Sequence, residues 1–316
     1  MSVERTVAAL QEVVVPATSA NVGCLFDCAA LAWDLHLSVT ATPGSRAGIE
    51  LSCEGAGGGQ LPRDASNLVV QGLARILARS GTPTPSLKLR LRSAIPPGVG
   101  LGSSAAGIVA GLLIGAQLVP NPPDEAILLG IAAELDGHPD NVAAAYLGGL
   151  VVAAGDGGGG PVLTRKVEVP SGFHFVVVVP DTGVAVPKSR ASLPEQYGRG
   201  DAVHNLQRAA LLVASAFSGE FSFEPEFFAD RWHQARRAEL VPGLQECLDL
   251  RDTDLLGVCL SGAGPSVLAI LRGTGTDVSR QLVEIWRRRG VAASALDLAI
   301  DNLGAKGRLG AAGILG

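Results

Sequence analysis

The sequence predicts an α+β fold, and three observations carry that prediction. Residues 85–95, PSLKLRLRSAI, alternate strictly, with Leu87, Leu89 and Leu91 on one side and Lys88, Arg90 and Arg92 on the other, the period of a half-buried strand. Residues 103–119, SSAAGIVAGLLIGAQLV, carry no charge on any face, which predicts a buried helix. Strands and helices then follow one another without the regular alternation of a βαβ series.

Taken in order, EVVVPA at 12–17, LHLSVTATP at 35–43 and GIELSC at 48–53 read as strands from their β-branched or alternating residues. NLVVQGLARILARSG at 67–81 has helical spacing and stops at a glycine, a common helix end. After the uncharged helix, whose small residues let neighbouring backbones approach, DEAILLGIAAEL starts a further helix at Asp124, a good capping residue. GGLVVAA is a strand, and GDGGGG at 155–160 is either a hairpin loop or a boundary. Placing the boundary there divides the chain into domains 1–155 and 156–316. In the second part FHFVVVVP is a buried strand, 201–251 is largely helical, and GVCLSGAGPSVLAIL reads strand, loop, strand. A helix through VSRQLVEIWRRR and a strand VAASALDLAI come next, and GRLGAAGILG is expected to be a loose tail.

Composition excludes several functions. With 25 basic against 30 acidic residues the net charge is −5, so a general nucleic-acid binder is not expected. The basic run at 286–290 suits the solvated face of a helix. The apolar stretch at 105–119 is too short and glycine-rich to span a bilayer, and MSVERTVAAL lacks the apolar centre of a secretion signal. Cys24, Cys28, Cys53, Cys247 and Cys259 form no CxxC pair and no metal-ligand cluster, as in a protein with reduced thiols. A cytoplasmic protein with no membrane partner is expected.

Three stretches could carry chemistry. IPPGVGLGSSAA at 95–106 spreads backbone amides at Gly98, Gly100 and Gly102 ahead of a helix N-terminus, where an anion is favoured. A glycine turn that only lets the helix pack is the other reading. It lacks the lysine of GxxxxGK[ST] and the spacing of a dinucleotide loop. LSGAGPSVLAI at 260–270 puts Gly262 and Gly264 between apolar strands, suiting either a close backbone approach or a plain hairpin. In AAELDGHPDNVAAAYLGG, Glu134, Asp136, His138, Asp140 and Asn141 crowd into eight positions. That density suits a site handling a cation, a hydroxyl or both, although a histidine there can also serve packing or capping.

In the same order, PATSANVGCLFDCAALAWDL, IPPGVGLGSSAA and LSGAGPSVLAI resemble the three motifs of the GHMP kinases, small-molecule kinases that include galactokinase, homoserine kinase and mevalonate kinase. PATSANVG, DGHPDNVAAA and WHQARRAELVPG resemble the homoserine kinases within that group. Cys24-Leu25 stands where the family usually shows proline and glycine, and HQARR where HQPYR is more frequent.

The resemblance implies an N-terminal ribosomal-protein-like α/β domain, a C-terminal ferredoxin-like domain and ATP between them. It implies phosphorylation of the side-chain hydroxyl of L-homoserine on the threonine route, the alternative being a GHMP kinase for a mevalonate-type or sugar substrate. By resemblance, Pro96, Pro97, Gly98, Val99, Gly100, Leu101, Gly102, Ser103, Ser104, Ala105 and Ala106 wrap the triphosphate, supported by Gly262, Ala263 and Gly264. Asn67 matches a position near the nucleotide, although an N-cap is an equally good local reading. Ser104 and Glu134 are the implied Mg2+ ligands. Arg190 and Arg237 match substrate arginines, and a guanidinium fork suits a carboxylate. Asp27 is the acceptor for the ammonium group, with Asn21 and His138 adding contacts. Asn141 orients the hydroxyl, and Asp140 stands where a base would, in a reaction expected to run by alignment without an obligatory one. The sequence gives no oligomeric state, although homodimers are common in the family.

Overall fold

A computed structural model describes residues 12–156, 158–181, 191–273 and 276–311 of the chain. It contains two sheets. In the first, β2 (Ala29–Pro43) is the organising strand. Along one edge it pairs with β1 (Val13–Ala20) through a register shift at Pro16/Ala17. Along the other it pairs with β4 (Leu87–Ser93) at its end and with β5 (Leu150–Ala154) at its beginning. β3 (Ile49–Gly55) adds in parallel to β4, and β6 (Leu163–Val167) adds to β5. β4 buries Leu87, Leu89 and Leu91 and exposes the three cations between them, as its alternation predicts.

Behind this sheet lie α1 (Leu68–Ser80) and α2 (Ser103–Leu118). Gly111 of α2 explains how closely they cross, since a Cβ there would stand 2.1 Å from the Val69 carbonyl oxygen. Twelve consecutive residues of α2, Ala105–Ala116, are buried, as expected of a helix without a polar face. α3 (Glu125–Asp136) starts at Asp124, whose side chain accepts from the Ile127 amide. A short α4 (Asp140–Leu147) comes after one turn. It was not apparent in the sequence, where Gly137 and Pro139 read as a loop.

The second sheet is antiparallel, with β10 (Ala292–Leu298), β7 (His174–Asp181), β9 (Val267–Leu271) and β8 (Leu255–Leu260) in that spatial order. In chain order the unit runs β7, α5 (Arg199–Phe217), β8, β9, α8 (Thr276–Arg288), β10, the ferredoxin-like βαββαβ arrangement. Between α5 and β8 come a 3₁₀ turn (Pro225–Phe228), α6 (Gln234–Ala238) and α7 (Leu244–Leu248). Arg287, Arg288 and Arg289 are exposed, each beside a glutamate. Among the described residues no helix is long and apolar enough to cross a membrane.

Two expectations need correction. The sheets do not change over at residue 155, because β6 still belongs to the first sheet. The expected loose tail is a helix up to residue 311, α9 (Gly304–Ala311), and 312–316 lie outside the described residues. The chain leaves β10 and returns to β2, where the Asp301 amide donates to the Ala32 carbonyl and the Asp34 amide to the Ala299 carbonyl. The buried Asp301 carboxylate accepts from the Leu303 and Gly304 amides, while its other oxygen meets Arg308 and His36 at 2.8 and 2.9 Å. A glycine-rich segment with no intrinsic preference for a helix is held as one by this tertiary capping.

Candidate functional site

The glycine loop and the start of α2 form one wall of a cavity of about 440 Å³. Gly98, Gly100 and Gly102 have φ of +74°, +86° and +67°, left-handed backbone that only glycine adopts freely. Two carbonyls of the loop are engaged by neighbouring elements. Leu101 oxygen accepts from the Thr18 amide and Gly100 oxygen from the Ser261 hydroxyl at 2.6 Å. What remains toward the cavity are the first-turn amides of α2, which no helical carbonyl reaches. Helix polarity there favours negative charge.

That loop is fastened through a buried chain of hydrogen bonds linking the two sheets. Trp33 Nε1 donates to Ser19 Oγ at 2.8 Å, Ser19 and Ser261 hydroxyls meet at 2.6 Å, and Ser261 donates to Gly100 oxygen. Since the terminal acceptor is a carbonyl and the terminal donor an indole, the proton order is unique: Trp33 to Ser19, Ser19 to Ser261, Ser261 to Gly100. A Cβ on Gly100 would stand 2.2 Å from the Ser261 carbonyl oxygen, so this approach also requires glycine.

The opposite walls come from the first motif, α4, α6 and the 262–264 loop. Asn21 and Asp27 have φ of +72° and +57°, and Asn21 explains why the turn holds. Its Oδ1 accepts from the Asp27 amide and its Nδ2 donates to the Gly262 carbonyl. Expected as a substrate contact, Asn21 lines the cavity but acts as a strut, with both ends of its carboxamide engaged. Asp27 presents its carboxylate to the same cavity, and Arg237 also lines it. Arg237 is held from three sides: its NH1 donates to His233 Nδ1 at 2.9 Å and to Gly262 oxygen at 3.2 Å, and its guanidinium lies 5.5 Å from the centre of the Phe26 ring. His233 Nε2 donates to the Gly23 carbonyl, which leaves Nδ1 as the acceptor. Burial pushes the ring below its ordinary pKa, against the nearby Asp230 charge and with Arg237, so the imidazole is neutral. Asp230 in turn caps α6 through the His233 and Gln234 amides and is gripped by Asn205 of α5.

On α4, Thr18 Oγ1 donates to Asn141 Oδ1 at 2.7 Å, leaving the Asn141 amide nitrogen as the group that can serve a ligand. His138 Nδ1 lies 2.5 Å from Asp140 Oδ1, which also accepts from the Asn141 amide. Burial alone would lower the His138 pKa. The hydrogen bond to Asp140 and the charges of Asp140, Asp136 and Asp27 outweigh it and raise the pKa to about 9, so this ring is an imidazolium at neutral pH. Asp140 is fully buried and does not line the cavity. Asp140 binds both His138 and the Asn141 amide and so positions them.

Glu134 is also placed differently from the expectation. It points outward into an ion pair with Arg75, its side chain more than a third exposed, because two further residues along α3 turn the helix by roughly 200°. The carboxylate beside Ser104 is Asp136, whose side chain is 5% exposed. Burial raises its pKa, while the His138 charge and a hydrogen bond from Ser104 oppose that. Asp136 Oδ2 is buried with no hydrogen-bond partner.

A second, mostly apolar cavity of about 360 Å³ adjoins the first, sharing Gly98, Ser103 and Ser104 and reaching Leu61, Pro62, Leu91 and Pro97. Asn67 lines it and caps α1 as well: Oδ1 accepts from the Val69 amide and Nδ2 donates to the Pro62 carbonyl. Ala263 and Gly264 line the first cavity with Gly262, whereas Ala105 and Ala106 are buried in the core and Pro96 and Val99 line neither. Arg190 lies outside the described residues. Sequence reasoning gave no role to Thr18, Ser19, Trp33, His233 and Ser261, and named Asp136 only within the polar run at 134–141. Only the i, i+4 spacing of His233 and Arg237 gave a usable signal.

Family models named "GHMP kinases N terminal domain" and "GHMP kinases C terminal" match residues 67–149 and 214–292. The homoserine kinase of Solibacter usitatus is 39% identical over 92% of this chain and 94% of its own. That of Moorella thermoacetica is 36% identical over 92% and 97%. Among solved structures, the homoserine kinase of Cytophaga hutchinsonii superposes with a TM-score of 0.80 at 27% identity, over 93% of this chain and 96% of that one. The mevalonate kinase of L. major shares the fold alone, with a TM-score of 0.57 at 14% identity.

Proposed function

The chain belongs to the GHMP kinases, and from that membership we infer that it is a homoserine kinase, transferring the γ-phosphoryl group of ATP to the side-chain hydroxyl of L-homoserine on the way to threonine. The observation that carries the substrate assignment is one cavity whose walls hold a cation, Arg237, and an anion, Asp27, beside the glycine loop. A zwitterion with a short hydroxyl-bearing side chain matches that charge pattern. A sugar or a mevalonate-type acid has no ammonium group to answer Asp27.

In this reading the glycine loop and first-turn amides of α2 receive the triphosphate, and the adjoining apolar cavity receives the nucleoside. Arg237 takes the substrate carboxylate, with Arg190 as its partner by resemblance, and Asp27 takes the ammonium group. Asn141, its oxygen already held by Thr18, offers its amide to the hydroxyl. The His138 imidazolium adds a fixed positive charge at the wall where phosphoryl charge develops, electrostatic stabilisation of a kind that serves phosphoryl transfer. Asp140 holds these two residues in place, and the rate comes from alignment.

Ser104 and Asp136 suit Mg2+: a hydroxyl and a partnerless buried carboxylate oxygen are hard donors, and a nearby cation would favour the ionised form that burial disfavours. When bound, the ion neutralises charge on the β- and γ-phosphates. We place the enzyme in the cytoplasm, consistent with its five free cysteines.

The test is ADP release, coupled to a dehydrogenase, with homoserine, mevalonate, shikimate and galactose as alternative acceptors. Turnover that depends on homoserine is expected, and turnover with another acceptor and not with homoserine refutes the assignment.

A further inference from the structure

The turn that carries Asp27 and the guanidinium of Arg237 are joined by one closed circuit of hydrogen bonds. Asn21 Oδ1 accepts from the Asp27 amide at 2.9 Å, and Asn21 Nδ2 donates to the Gly262 carbonyl at 2.8 Å. The same carbonyl accepts from Arg237 NH1 at 3.2 Å, and NH1 also donates to His233 Nδ1 at 2.9 Å. His233 Nε2 donates to the Gly23 carbonyl at 2.8 Å, which returns the circuit to the turn where it began. Asn21, His233 and Arg237 are 4%, 0% and 4% exposed, so water does not compete for these bonds. Gly23 itself is seated against the 3₁₀ turn: its φ is +75°, and a Cβ there would stand 2.7 Å from the Phe228 carbonyl oxygen.

We propose that His233 is a positioning residue that fixes Arg237 relative to Asp27, so that the enzyme selects acceptors with a carboxylate and an ammonium group on the same carbon. This rests on Arg237 and Asp27 being the partners of those two groups. Each link in the circuit has a single sense. A carbonyl only accepts, so the imidazole proton sits on Nε2 and Nδ1 must be an acceptor. NH1 has two hydrogens, one for each of its acceptors, and those two points set the plane of the guanidinium, with the Phe26 ring centre 5.5 Å away. His233 is held in turn, because Asp230 Oδ2 accepts from its amide and from that of Gln234 at 2.8 and 2.7 Å. The Gln234 carboxamide then bonds the Leu260 amide and the Phe228 carbonyl. Arginine on a long flexible stem would otherwise meet a carboxylate at many distances from Asp27. Ordering it before the substrate arrives removes that freedom and its entropic cost on binding.

Two replacements separate the two ring nitrogens. A glutamine amide can stand in for Nε2, keeping the tie to Gly23 and losing the acceptor for Arg237. An asparagine oxygen can stand in for Nδ1, keeping that acceptor. The measurement is initial-rate ADP release by the full chain, with γ-hydroxybutyrate (homoserine without its amino group) and propanolamine (homoserine without its carboxylate) as competitive inhibitors against homoserine. His233→Gln should raise KM for homoserine and Ki for γ-hydroxybutyrate by at least about tenfold, the scale of one hydrogen bond to a charged group. Its kcat, its KM for ATP and its Ki for propanolamine should stay within about threefold of the parent. His233→Asn should raise KM for homoserine by no more than about threefold, since the acceptor is kept. If His233→Gln fails to fold by circular dichroism, His233→Asn decides, a retained KM supporting the proposal and a rise of about tenfold overturning it. An unchanged homoserine KM in His233→Gln overturns it, as does a rise in the propanolamine Ki or the ATP KM in step with the homoserine KM. In each of these cases a parent that uses homoserine leaves the functional assignment standing. A parent that turns over another acceptor and not homoserine overturns that assignment and this proposal with it.

Discussion

Replacing Ser261 by alanine removes one hydroxyl that serves two neighbours, and the burial of those neighbours sets the size of the effect. Ser19, Trp33 and Ser261 are all fully buried. Ser261→Ala therefore strands the Ser19 hydroxyl hydrogen where no water reaches, the vacated oxygen leaving too small a space to admit one, and removes the donor to the Gly100 carbonyl at the cavity wall. Leaving a buried polar group unpaired costs about 1–3 kcal/mol and losing a hydrogen bond at a half-buried one about 0.5–1.5 kcal/mol, so the two together set a scale of about 2–4 kcal/mol. The glycine loop can relieve part of this by rotating the Gly100 carbonyl into the cavity, where its negative end opposes the phosphates. If about 2 kcal/mol appears in nucleotide binding, KM for ATP rises roughly thirtyfold. Trp33→Phe removes only the first donor of the chain and leaves the bond to Gly100 intact, costing about 0.5–1.5 kcal/mol in stability with KM for ATP changed by less than about threefold. The assay is initial-rate ADP release with ATP varied at saturating homoserine, then the reverse, alongside thermal melting. An unchanged KM for ATP in Ser261→Ala refutes the reasoning. So does a rise in homoserine KM in step with it, or an effect of Trp33→Phe as large as that of Ser261→Ala.

Other substitutions test the remaining features. Ser104→Ala and Asp136→Asn should each raise the magnesium concentration for half-maximal rate by about tenfold or more, on the scale of losing one hard ligand, while Glu134→Gln should not. Titration of rate against magnesium separates the two carboxylates. Gly100→Ala places a Cβ against backbone in a left-handed conformation, and overpacking of that kind costs about 1–3 kcal/mol. Loss of nucleotide binding by calorimetry, with the fold retained by circular dichroism, is the expected result. Asp301→Asn should lower stability by about 2 kcal/mol at pH 7, the scale of buried hydrogen bonds to charged groups. Burial would raise the Asp301 pKa, but the hydrogen bonds from His36, Arg308 and Gly304 hold it well below the ordinary 3.8. A depressed pKa contributes stability that is complete above the unfolded value and is lost as pH falls below about 3.8. Melting curves should therefore show parent and variant converging from about pH 4 downward. A difference independent of pH would place the effect in packing.

The fold was readable wherever a single segment's pattern determined its burial. The alternation of β4, the uncharged α2 and the capped start of α3 depend on local sequence and on one face being hidden. α9 was not readable, because its helix depends on the Asp301 carboxylate and on β2, more than 260 residues away in the chain. The division at residue 155 misplaced β6 for a related reason: pairing with β5 leaves no mark in a five-residue strand. At the site, the glycine loops and the polar run at 134–141 were apparent as motifs. Which carboxylate faces the loop was not. Glu134 and Asp136 are equivalent in composition, and only the turn of α3 separates an exposed ion pair from a buried donor. The Trp33–Ser19–Ser261 chain was hidden because each member is an ordinary core or loop residue until the two sheets come together.

The closing strap that runs from β10 back to β2 has a bearing on biosynthesis. A ribosome releases the first 150 residues well before the strap exists, so the amino-terminal sheet must wait with one flank open and its Ala32 carbonyl without a protein partner. Maturation of that half is consequently set by Ala299 and Asp301, which are translated long after it. Cutting the chain ahead of Ala299 would damage a part of the molecule that was translated earlier.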